Sequence, residues 1–177
     1  MEQQRSPARP GTWPPGPIWL ALRTVGLVIV ILGTGLMAAL SLVVRFISGF
    51  SECFGDAPCV AVEAMEQQAS HQQGWLLIAV PVGLVLFSAL AIRWEWSLVG
   101  VVAVAGFATA IAVAAGRPPA ERVAILGIEL PFIYPVFQAW LPGSWLPIVG
   151  AAVQWIGHRG RRRGARVIGS PLPSWRN

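Results

Sequence analysis

The two cysteines of the chain, Cys53 and Cys59, are separated by five intervening residues in a segment, Ser51 to Gln73, that carries Glu52, Asp56, Glu63, Glu66 and His71 but no Lys or Arg. In an oxidising compartment such a pair can close a small ring, worth roughly 2 kcal/mol on a loop-entropy estimate. The same spacing also suits thiol exchange. Membrane disulfide oxidases with such a site rely on a second outer pair to relay electrons, and the sequence has none, so a structural disulfide between Cys53 and Cys59 is the expected reading.

Other candidates are fewer. Glu129, beside Pro131, is the one carboxylate within an apolar stretch and the only residue placed to act as a proton-coupling acid. Its bland alternative is a surface position, or a pair with Arg122 or Arg117. His71 and His158 are expected on opposite sides of a membrane, which excludes them as joint ligands of one metal or haem; each is expected to be an ordinary interfacial side chain. Arg93 and Glu95 can pair across a tight turn, an exposed contact worth about 0 to 1 kcal/mol. Arg159, Arg161, Arg162, Arg163 and Arg166 form the densest positive run. No aromatic interleaving accompanies it, so the expected partner is anionic lipid headgroups rather than nucleic acid, at about 1 kcal/mol per cation near the surface. Phosphate-binding glycine loops, Ser/His/Asp sets and paired carboxylates are missing. No catalytic residue, cofactor or metal site is therefore expected.

The elements that hold these residues follow from composition. Of 177 residues, 55% are hydrophobic and 12% charged, against roughly 45 to 50% and about 25% in soluble domains. A water-soluble fold of this length could not hide so much apolar surface, so the chain is read as all-α and integral to a membrane. The net charge of +5 comes from thirteen Arg with no Lys. With abundant Ala, Gly and Pro, this suggests GC-rich coding and a bacterial source.

Residues 1–17 are a Pro-rich tail, expected to be disordered and cytoplasmic. A first span covers about 25–44, too long for a signal h-region although Ala39-Leu40-Ser41 resembles a cleavage site; it is expected to remain as an anchor. Arg23 and Arg45 flank it, each near enough to the interface to extend its charge into headgroups. The arginine-free loop 51–73 is expected outside, with a short helix near Val60 to Gln68. Spans follow at about 75–92 and 98–115, joined by Arg93-Trp94-Glu95-Trp96 and stopped by Pro118-Pro119. None of these three spans contains an ionisable residue between its ends.

Val123 to Ile156 is apolar but broken by Pro131, Pro135, Pro142 and Pro147. If it crosses twice there are five spans and the arginine-rich tail is translocated, which is disfavoured. The expected reading is an apolar outer element at 123–141, partly helical, and a fourth span within 136–157. A basic cytoplasmic tail follows at 158–177, so both termini face the cytoplasm of a multi-pass cell-membrane protein. Small residues recur at four-residue spacing (Gly35 and Ala39, Ala79 and Gly83, Gly106, Ala110 and Ala114, Ala108, Ala112 and Gly116), rows that let helices approach closely or meet another subunit.

The expected fold is thus a four-transmembrane-helix bundle with a short outer loop helix. The leading expectation for function is a non-enzymatic accessory or scaffolding subunit of a larger membrane complex, with protein partners or further copies of itself. The alternatives are a small-solute or lipid carrier using the proline-broken 131–147 region, and a membrane thiol oxidoreductase.

Overall fold

A computed structural model describes residues 15–48, 57–127 and 132–168. Among them every regular element is helical: α1 (Pro15–Ser48), α2 (Ala57–Gln73), α3 (Leu76–Ala91), α4 (Ser97–Ala115), α5 (Pro119–Leu126), a 3-10 helix (Pro135–Trp140) and α6 (Trp145–Ile168). Three stretches are long and apolar enough to cross a membrane: Pro17–Ile47, Ala61–Ala91 and Ser97–Ala115. The Cys53–Cys59 pair and Glu129 lie outside the description, since Cys53 and Glu129 are not among the described residues.

The continuity of α1 reflects a run with no proline after its first turn. Its hydroxyl groups are satisfied locally, as hydrocarbon demands: Thr34 Oγ1 donates to Val30 O at 3.0 Å and Ser41 Oγ to Met37 O at 2.8 Å. The loop helix is longer than the sequence pattern suggests and runs almost directly into α3. Only Gly74-Trp75 intervenes, and helical bonding carries across, with Gly74 N–H on Ser70 O and Ala79 N–H on Trp75 O, both at 2.9 Å.

α5 begins at the double proline and ends where Gly127 takes a left-handed φ of 66° and returns its N–H to Val123 O at 2.8 Å. That conformation costs a glycine little and a residue with a Cβ much more.

Close packing occurs chiefly between α1 and α6, which run antiparallel. Gly33 meets Gly143, Gly26 meets Gly150, and Trp19 meets Gly157. Each step moves seven residues along both segments, Gly143 lying in the turn just before α6, and this keeps the contact stripe on one face. A side chain on Gly143 would begin 3.0 Å from Gly33 O, and one on Gly157 3.0 Å from Trp19 O. The four-residue rows expected to serve this purpose divide differently. Ala108 and Ala112 are buried, but a Cβ on Gly35 or Gly106 would meet nothing within 4 Å. A row of small residues permits close approach without compelling it, and here the partner surface faces Gly26 and Gly33 instead.

Because its register starts at Gly33 and Gly143, α6 lines only the half of α1 nearer the N-terminus. The 3-10 helix follows the same groove between α1 and α4 and fills the other half. Phe137 and Trp140 are fully buried there and pack edge to face at 4.7 Å between ring centroids. This wall of the bundle is therefore composite, and the prolines fit it: Pro135 opens the 3-10 helix and Pro147 lies in the first turn of α6, where no intrahelical donor is required. The outer faces of α1, α3 and α4 present Leu32, Leu42, Ile78, Val82 and Val99, surface that lipid can cover.

Candidate functional site

The N-terminal half of α1, the α3–α4 turn and the arginine-bearing part of α6 converge at one end of the bundle, and most of the buried polar side chains gather here. The site starts from a backbone requirement. The last turn of a helix leaves carbonyls without intrahelical partners, and apolar surroundings offer none. At the end of α3 the last turn also tightens: Ile92 N–H bonds to Ala89 O at 3.2 Å, which removes the ordinary partner of Ser88 O. Carbonyls 88, 91 and 92 are thus left to side chains.

Each finds one. Gln154 Nε2 donates to Ser88 O at 3.1 Å, His158 Nε2 lies 2.6 Å from Ala91 O, and Arg23 Nη1 donates to Ile92 O at 3.1 Å. A carbonyl only accepts, so the proton of that His158 contact sits on Nε2. Gln154 and His158 are four residues apart and share a face of α6. Gln154 also donates to Arg23 O at 3.2 Å and accepts from Ser88 Oγ at 3.3 Å. One fully buried amide therefore joins α1, α3 and α6.

These placements correct two expectations. Arg23 is not a free flanking charge: it is 4% exposed and caps α3, where the negative end of the helix dipole favours a cation. His158 is likewise no ordinary interfacial side chain, being 7% exposed and bonded to α3. Gln154 and Ser88 were not among the sequence candidates. Gly143, Gly150, Gln154 and Gly157, at helical spacing on one stripe, were the signal that could have revealed the former.

Next to this cluster lies a cavity of about 370 Å³, lined by Arg23, Arg93, Arg161, His158 and Glu95, with Trp94 and Trp96 at its side. Arg161, one of the residues expected at headgroups, therefore faces this cavity. Arg159 instead stacks on the Trp155 ring, 4.1 Å from its centroid. Arg162, Arg163 and Arg166 continue α6, and their side chains are outside the description. Arg93 and Glu95 share the cavity wall.

At the opposite end, Gln73 clamps the chain entering the 3-10 helix. Its Nε2 donates to Phe132 O and its Oε1 accepts from Tyr134 N–H, each at 3.1 Å. Arg117 pairs with Glu121 at 3.2 Å, both exposed, and Arg122 Nε donates to Arg117 O at 2.7 Å. Among the described residues no three His, Cys, Asp or Glu side chains gather as a metal site.

Comparison of the chain with protein-family models, with curated proteins and with solved structures gives no significant match. Its helices and their apolar faces define a small multi-pass membrane protein in contact with the lipid bilayer.

Proposed function

We propose that this chain is a non-enzymatic scaffolding subunit of a larger membrane assembly, with four crossings made by α1, α3, α4 and the composite of the 3-10 helix and α6. The observation that carries the reading is Gln154, whose amide engages main-chain or hydroxyl groups of two other helices. A polar side chain in the interior of a transport pathway is held ready for solute; this one fastens helices together. The described part of the 131–147 region, which a carrier would move, weighs the same way: Phe137, Trp140 and Pro147 are fully buried.

Orientation follows from arginine. The end bearing Arg23, Arg93, Arg159 and Arg161 is read as cytoplasmic, with both termini and the basic tail on that side of the cell membrane. The Cys53–Cys59 loop then faces out, where a disulfide can form. Thiol alkylation before and after reduction tests that bridge, and a pair cycling between states would favour the oxidoreductase reading instead.

The scaffold reading is tested by cross-linking in intact membranes, from photoreactive residues at Leu32 and Val99, followed by particle mass in mild detergent. Discrete adducts and a particle heavier than the chain are expected. Lipid adducts alone and a monodisperse monomer would overturn it.

A further inference from the structure

The cavity beside the α3 terminus has the composition of an anion site. Three guanidinium groups, Arg23, Arg93 and Arg161, face one carboxylate, Glu95, for a formal balance of +2 with His158 neutral. Arg23 is the informative member. Its guanidinium carries several N–H donors, one of which reaches Ile92 O, while Nε is buried without an acceptor. Burying a guanidinium with a donor unmet is costly. Planar guanidinium groups match phosphate oxygens in particular, and those of Arg93 and Arg161 are exposed at the cavity wall. The volume also lies in the range of small-ligand sites.

Trp94 and Trp96 stand at the side of the cavity, 63% and 86% exposed. Indole rings of this kind settle at the headgroup level of a bilayer. The tail of α6 adds Arg159, but its stacking on Trp155 holds it elsewhere.

We propose that this cavity binds a phosphate ester, with a terminal monoester matching its charge best, supplied by a phospholipid headgroup of the adjacent leaflet or by soluble phosphate. His158 Nε2 is engaged on Ala91 O and forms part of the wall. Arg93 and Arg161 are the accessible ligands, and Arg23 closes the base.

The test uses the full chain in two arms. In nanodiscs of phosphatidylcholine containing phosphatidic acid, lipid retention is read by native mass spectrometry; in detergent, inorganic phosphate is titrated against thermal unfolding. Because Arg23→Gln also uncaps α3, the diagnostic variant is the double substitution Arg93→Gln/Arg161→Gln, with Arg159→Gln as control. Saturable binding in either arm, weakened roughly tenfold or more by the double variant and unchanged by Arg159→Gln, supports the site. Retention in the lipid arm alone assigns the headgroup as source, and a response to phosphate alone assigns the soluble ion. No saturable binding in either arm, or equal weakening by Arg159→Gln, overturns it. The outcome is separate from the scaffold reading, since a monomer that retains phosphatidic acid through Arg93 and Arg161 would sink that reading and keep this one.

Discussion

Gly26 and Gly150 approach until the carbonyl oxygen of each lies 2.6 Å from the place a Cβ would occupy on the other. Neither backbone can yield locally, so any side chain at either position must move a whole helix. In lipid, where helices are held by dispersion contact rather than by exclusion of water, such separation removes the attraction itself.

Gly26→Leu and Gly150→Leu are therefore expected to destabilise the protein by at least about 1 to 3 kcal/mol, the usual range for overpacking. Gly35→Leu and Gly106→Leu, where a Cβ would meet nothing within 4 Å, are expected to change little. Thermal unfolding in one detergent, compared across the four variants, checks the contrast.

Gln154→Leu removes the donor for two buried carbonyls, Arg23 O and Ser88 O. A loss of about 1 to 3 kcal/mol is expected for the groups left unpaired. Ser88→Ala removes only the hydroxyl contact and should cost less. A double-mutant cycle between the two, read by denaturant titration, is expected to give a coupling of about 0.6 kcal/mol and no more than about 1.7.

Hydrogen exchange reports on the clamp at the opposite end. Gln73→Leu takes away the acceptor of the Tyr134 N–H. Loss of about 1 kcal/mol should speed exchange at that amide about fivefold, while amides in the middle of α4 stay protected.

Tyr134 is the single tyrosine of the chain, so a tyrosinate absorbance titration reads it alone. Burial pushes its phenol above the ordinary value of 10.0, with Arg45 pulling the other way and Glu66 reinforcing the rise. The folded state thus holds its proton longer than the unfolded state does. Its contribution to stability is complete below about pH 10 and declines as pH rises from there through the folded-state value. A midpoint in the folded protein equal to that after denaturation would contradict this.

The crossing segments α1, α3 and α4 could be read from the sequence because hydropathy and the absence of charge are local properties, summed over about 20 residues. The contacts between them could not. Gly26 and Gly150 are individually unremarkable in a chain with 19 glycines, and only the antiparallel register makes them partners. Arg23 shows the limit most clearly. Its neighbours place it at a membrane edge, yet its conformation is decided by Ile92, 69 residues away. The same holds for His158 and Ala91. Chemistry at the ends of helices belongs to whichever carbonyls are left over, and that depends on how another helix terminates.

The composite wall bears on how the protein is made. From Trp145 to Gly157 the apolar part of α6 spans about 20 Å, short of a hydrocarbon layer of roughly 30 Å, and it carries Gln154 within its last third. Such a segment has little reason to partition by itself during synthesis, whereas α1, α3 and α4 do. Integration of the C-terminal part should therefore be conditional: a reporter following residues 128–177 alone is expected to stay outside the bilayer, and the same segment should enter once α1 is already present to receive it.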